Sequence, residues 1–202
     1  MAPSPIDSDV STFKLGGTLT IPRLGFGAMQ LPGRPNGPAV DQAMAVAVAR
    51  RAVELGVRHL DTAAFYVRGG NRANDILWRA LHPYPADLTI ATRSAPCAPR
   101  PARCTARPGP SSSARPSSGT CVNSASTSST WCICGSDAFE NLHRVARRRT
   151  ATVFQVAIAW GLARSPSTVQ IPGTASLARL EENMAVAHLK LDETDLVLLG
   201  HR

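Results

Sequence analysis

Asp61 and Tyr66 stand five residues apart in Gly56-Val57-Arg58-His59-Leu60-Asp61-Thr62-Ala63-Ala64-Phe65-Tyr66, and Arg93 follows further along the chain. A phenol with a reference pKa of about 10 is a protonated donor at neutral pH. A cation beside it eases release of that proton, and a carboxylate can hold the cation in place. A second constellation is Ile171-Pro172-Gly173-Thr174 with Arg179 and Asn183. A guanidinium forms paired bonds to a phosphate, and a hydroxyl can add a third. Taken singly, these residues have plainer readings: an aspartate capping a turn, a tyrosine packing at a rim, a helix starting after a glycine turn.

The elements that must position them alternate. Thr18 to Phe26, after Gly16-Gly17, reads as a hairpin arm leading into a first strand. Asp41 to Leu55 has apolar residues at helical spacing and stops before Gly56. A short strand over 58–62, a helix over 71–81 and a third strand over 88–92 follow. This order predicts right-handed crossovers and a parallel sheet. Further on, helices are expected over 137–149, 152–164 and 177–188, with a short strand over 168–171 and a last helix starting at Asp192. The arginines at 147–149 suit the negative end of a helix dipole and read as a solvated helix end.

Residues 93–135 break the pattern. They are rich in serine, proline, alanine and arginine, hold almost no large apolar side chain before Trp131, and are expected to be disordered. A linker of that length inside one compact domain signals a fault in the pattern itself. The formal charge of +8 is concentrated here, because the segment has five arginines and no acidic residue; the rest of the chain carries +3. All five cysteines lie here too, without a Cys-x-x-Cys pair, so neither a disulfide framework nor a metal site is expected. With Trp131 as its one aromatic residue, the segment is a poor nucleic-acid binder. No apolar run approaches the roughly 18 residues that span a bilayer. The start of the chain, Met1 to Val10, has two aspartates and no cation, unlike a secretory signal, so a cytoplasmic protein is expected.

The motifs together resemble the aldo-keto reductases. Ile21-Pro22-Arg23-Leu24-Gly25-Phe26-Gly27-Ala28-Met29 is similar to that family's first barrel strand, and the stretch from Gly56 to Tyr66 to its second strand and following loop. Ile171 to Thr174, Arg179 and Asn183 match the spacing of its grip on the adenosine 2′-phosphate of the cofactor. The resemblance covers residues 13–92 and 136–200. It implies a (β/α)8 TIM barrel, in which catalytic groups sit at the C-terminal ends of strands. It also implies NADPH-dependent reduction of a small aldehyde or ketone, with Tyr66 as proton donor and Asp61 as the carboxylate that anchors the cation. Gly27, Ala28, Asp61, Thr174, Arg179 and Asn183 are the implied cofactor-binding residues.

The pattern also fails in places. The family's catalytic cation is a lysine ending the third strand, where this chain has Arg93; its only lysines are Lys14 and Lys190. In the 2′-phosphate motif, Gly173 stands where many members have lysine. Loss of one base in a lysine codon explains the first change. ACC-AAG-GTC-GGC-GCC encodes Thr-Lys-Val-Gly-Ala; without one A it reads Thr-Arg-Ser-Ala-Pro, as at 92–96. Restoring the frame at the far end turns Trp131-Cys132 into valine and Cys132-Ile133 into histidine or tyrosine, which resembles the fourth strand with its substrate-orienting histidine. Between there and Asp137 the fifth, sixth and seventh strand-helix units are missing. A lesion in the gene and a misreading of it produce the same sequence. The expected protein is a single incomplete barrel: hairpin and three strand-helix units over 11–92, the aberrant segment 93–135, and the last helices with the phosphate motif over 136–202. Little or no turnover is expected of it. The alternative activities are non-catalytic NADPH binding and, ranked below it, binding of nucleic acid by the basic segment.

Overall fold

The computed structural model describes residues 12–34, 37–93 and 136–200. Of the segment 93–135 expected to be disordered, Arg93 is instead the last residue of a strand, Thr89–Arg93; the rest of it and the reading of Met1 to Val10 lie outside the described residues.

An antiparallel hairpin opens the described chain: β1 (Thr12–Leu15) pairs with β2 (Leu19–Pro22) around Gly16 and Gly17, both at positive φ, which glycine adopts without a Cβ penalty. The first parallel strand is short, β3 (Phe26–Gly27). Helix α1 (Gln42–Glu54) follows, capped by Asp41, whose carboxylate accepts from the Met44 N–H at 2.9 Å. Then come β4 (His59–Ala63), the two-residue strands β5 (Val67–Arg68) and β6 (Asn71–Arg72), helix α2 (Ala73–Leu81), and β7 (Thr89–Arg93). The helix expected to start at 71 begins at Ala73, because Asn71 and Arg72 pair with Arg68 and Val67.

Strands β3, β4 and β7 form a parallel sheet in that order, with Gly27 opposite Asp61 and Ala63 opposite Arg93. The strand expected over 168–171 is reduced to a single parallel bridge, Leu24 to Gln170. It still docks firmly on the free side of β3: the Gln170 N–H donates to the Arg23 carbonyl at 2.7 Å, and the Gly25 N–H to the Gln170 carbonyl at 2.8 Å. Among the described residues the sheet does not close into a barrel.

The C-terminal part is helical: α3 (Ser136–Arg149), α4 (Val153–Ala163), α5 (Leu177–Met184) continued by a 3-10 turn over Ala185–His188, and α6 (Glu193–Leu198). Helix α4 starts at a capping box between Thr152 and Gln155. The larger apolar core joins the two halves: Leu24, Phe26, Val48, Leu60 and Ile76 pack in one cluster with Ala159, Leu180 and Met184. Arg23 reinforces this junction. Its buried guanidinium donates to the carbonyls of Leu162, Ser165 and Thr168 at the end of α4. A smaller cluster sets Leu142 and Val145 of α3 against Val156 of α4. Arginines 148 and 149, expected to be solvated, instead pair with Asp192 and the fully buried Asp195 at the start of α6.

Candidate active site

Residues alternate sides along β4, so His59, Asp61 and Ala63 share one face of the sheet. The parallel register then brings Arg93, the last residue of β7, beside the end of β4, where the Ala64 N–H donates to the Arg93 carbonyl at 2.9 Å. Tyr66 is reached by a tight turn, its N–H donating to the Ala63 carbonyl at 3.1 Å and its own carbonyl accepting from Ala73 at 3.0 Å. With both sides of its backbone held, the tyrosine is buried at the strand end.

One nitrogen joins the three side chains. Arg93 Nη2 donates to Asp61 Oδ2 at 2.7 Å and to Tyr66 Oη at 2.5 Å. The guanidinium carbon also lies 5.6 Å from the centre of the Tyr66 ring. The Asp61 and Arg93 side chains are 17% and 26% exposed, enough burial to strengthen the pair over a surface one. Burial raises the pKa of Asp61 above the ordinary carboxylate value, against the opposing pull of Arg93 and, more weakly, of His59. Tyr66 Oη therefore accepts from the cation.

His59 was not singled out by its sequence context. It is buried two residues before Asp61 on the same face, and its Nδ1 has no hydrogen-bond partner among the described residues. Burial lowers its pKa, partly offset by the Asp61 charge. The ring fits because residue 25 is glycine: a Cβ there would stand 2.7 Å from His59 Nδ1. Its position two residues from a strand-end aspartate was the signal available.

The expected cofactor residues fall into two groups along the same sheet end. Gly27 lies opposite Asp61 and donates its N–H to the Pro172 carbonyl at 3.3 Å. Ala28 is fully buried in the larger core. Gly27 and Gly173 approach so closely that a Cβ on Gly173 would be 2.5 Å from the Gly27 carbonyl oxygen. Thr174 is buried, its hydroxyl accepting from the Ser176 N–H at 3.1 Å. Arg179 and Asn183, four residues apart on α5, share a face of that helix. Arg179 is exposed and Asn183 half-buried. The structure thus gathers Asp61, Tyr66 and Arg93 in direct contact and ties Gly27 to the 171–174 loop. Arg179 and Asn183 stand on α5, apart from the strand ends that carry that trio. A surface hollow between α3 and α6, lined by Arg144, Arg148 and Glu193, contains none of these residues.

This arrangement can be set beside known proteins. The matched curated relatives include pyridoxine 4-dehydrogenase of Escherichia coli (strain K12), 49% identical over 85 residues, which are 41% of this chain and 28% of that protein. Aldo-keto reductase str7 of Strobilurus tenacellus is 38% identical over 60 residues, 30% of this chain and 18% of that protein. The chain therefore matches under a third of the length of either relative. Among solved structures, the thermostable aldo-keto reductase Tm1743, in complex with the inhibitor epalrestat, superposes with a TM-score of 0.64 at 16% identity, covering 95% of this chain and 99% of its own. An aldo/keto reductase from Brucella melitensis gives 0.58 at 14% identity, covering 96% and 100%. A mutant of Gox0644 in complex with NADPH gives 0.51 at 13%, covering 95% and 93%. At such identities these likenesses speak for the fold alone. The sequence model of the aldo/keto reductase family matches residues 23–119 and 106–199, most of the chain, and the protein belongs to that family.

Proposed function

We propose that this chain carries the site of an NADPH-dependent reductase of small aldehydes or ketones, in a form whose turnover is impaired or absent. The observation that carries the reading is the shared Nη2 of Arg93, bonded to both Asp61 and Tyr66 at the C-terminal end of the sheet. The donor set suits the cofactor: an exposed guanidinium at Arg179 with Asn183 one turn on, and the Thr174 hydroxyl at the head of α5. When bound, NADPH supplies the hydride that goes to the carbonyl carbon. Tyr66 gives its proton to the carbonyl oxygen, Arg93 steadies the phenolate left behind, and Asp61 holds Arg93 in place. The product is the alcohol.

Arginine is the weak point of this site. Its guanidinium keeps the charge a lysine would bring, but it is planar, larger and never deprotonated, so it steadies Tyr66 without relaying a proton back to it. The second weakness is architectural. We read the domain as an incomplete barrel, with 11–92 and 136–202 as its family-like parts and the fifth to seventh strand-helix units absent; an incomplete barrel leaves sheet edges uncovered and core layers unfilled. Arg93 also favours a second reading, a chain that binds NADPH without turning over.

Titrating NADPH into the purified 202-residue chain and following its oxidation with a panel of small aldehydes and ketones tests both readings. Saturable binding with no oxidation above background is the expected result. Robust carbonyl reduction would overturn the impairment, and absence of any NADPH binding would overturn the reductase reading itself.

A further inference from the structure

Helix α4 places a large apolar side chain, Phe154, in an unusual position. It is 56% exposed and belongs to neither apolar cluster. Its ring lies under a cation instead: Arg179 Cζ of α5 is 5.3 Å from the ring centre. The two helices are fastened at that point. The Thr152 hydroxyl donates to the Glu182 carboxylate, and Gln155 Nε2 donates to the Glu182 carbonyl at 2.9 Å. The two acids that follow Arg179 on α5 are engaged elsewhere, since Glu181 pairs with Arg51 at 2.9 Å and Glu182 accepts from Thr152. Stacking occupies the face of a guanidinium and leaves the N–H donors at its edge directed outward. A carboxylate partner would have consumed them.

We propose that Phe154 is a positioning residue for anion recognition: it holds the Arg179 guanidinium flat, with its donors presented to the 2′-phosphate of an adenine nucleotide. This rests on the reading of Thr174, Arg179 and Asn183 as a phosphate grip. It adds a residue on another helix that controls how well the grip discriminates. An exposed cation–π contact of ordinary strength corresponds to roughly a threefold change in affinity. The change falls on the phosphate alone, because Phe154 acts only through Arg179.

The test uses the full chain with adenosine 2′-monophosphate and adenosine as probes, in the parent, Phe154→Leu and Phe154→Tyr. Phe154→Leu is expected to weaken the 2′-phosphate probe by roughly threefold and leave adenosine unchanged, with Phe154→Tyr restoring the parent value. Unchanged affinity in Phe154→Leu, or equal loss of both probes, overturns the proposal. Should the parent not distinguish the two probes, the phosphate-grip reading fails by itself. The Arg179 Nε–H resonance then decides the pairing. A ring-current displacement present in the parent and Phe154→Tyr but lost in Phe154→Leu supports Phe154 as the element that orders Arg179. A resonance that does not move between the three proteins overturns it.

Discussion

Arg93 ends β7 with its Nη2 2.7 Å from the Asp61 carboxylate, a contact made across the parallel register of two adjacent strands. The same nitrogen reaches Tyr66, so the phenol is coupled to a guanidinium, a cation that does not exchange a proton. Arg93→Lys is therefore expected to raise carbonyl reduction over the parent, on the order of tenfold if proton transfer limits the rate. NADPH affinity should stay the same. The measurement is the rate of NADPH oxidation with a fixed aldehyde, beside a cofactor-binding isotherm. A rate that stays at the parent's level would show that the arginine is not what limits turnover.

Asp61 gives a pH signature. Burial outweighs the pull of Arg93 and leaves its pKa above the ordinary 3.8, so the folded chain binds that proton more tightly than the unfolded chain. Stability from this group is then fully present below 3.8 and is lost as pH rises through the folded pKa. An asparagine does not titrate. The stability of Asp61→Asn relative to the parent should accordingly become more favourable as pH rises across that window, measured by urea unfolding at matched ionic strength. A parent–variant difference that is flat with pH, or slopes the other way, would show that Asp61 is not held in a desolvated site.

The elements around this pair were legible because their signals are local. Asp41 and Gly56 bound α1 at its two ends, and the Thr152 and Asp192 caps start α4 and α6 where polar residues precede apolar runs. The motif from Gly56 to Tyr66 likewise lies within one strand and one turn. Features that depend on distant partners were not legible. The arginines at 148 and 149 look like a solvated helix end until α6 brings Asp192 and Asp195 against them. His59 looks like any strand residue until Gly25 of the neighbouring chain segment makes room for its ring. The strand over 168–171 is weak by its own pairing and is held by Arg23, whose side chain carried no local sign of that task.

Gly173 invites a repair that the structure argues against. The resemblance read from the sequence puts a lysine at this position, yet a Cβ here would meet the Gly27 carbonyl oxygen at 2.5 Å, a backbone atom that cannot swing aside. Gly173→Lys is thus expected to destabilise the chain by about 1–3 kcal/mol as the 171–174 loop is forced off β3. Any gain in 2′-phosphate affinity should be small, because the loop that presents the new cation is displaced. Urea unfolding together with an NADPH isotherm checks both parts. Tighter NADPH binding at undiminished stability would show that the close approach is not maintained in solution.

The junction of the two halves makes the last prediction. Arg23 is buried, and its guanidinium satisfies the carbonyls of Leu162, Ser165 and Thr168 where α4 ends and the chain turns back toward β3. Burial lowers its pKa, but a guanidinium still stays charged, so the carbonyl dipoles are what make that position tolerable. Arg23→Met keeps the length of the side chain and removes every donor. Three carbonyls then lose the guanidinium, although that of Ser165 keeps the Thr168 N–H, while a desolvated charge is relieved. The net cost should be about 2–4 kcal/mol, with the loss concentrated where 168–173 docks on β3. Hydrogen exchange locates it: the amides of Gly25, Gly27 and Gln170 should lose protection in the variant, whereas those of α1 and α2 should follow only the global loss. Uniform loss across all of these amides would mean that Arg23 supports the fold as a whole and does not serve as the fastening between its N- and C-terminal parts.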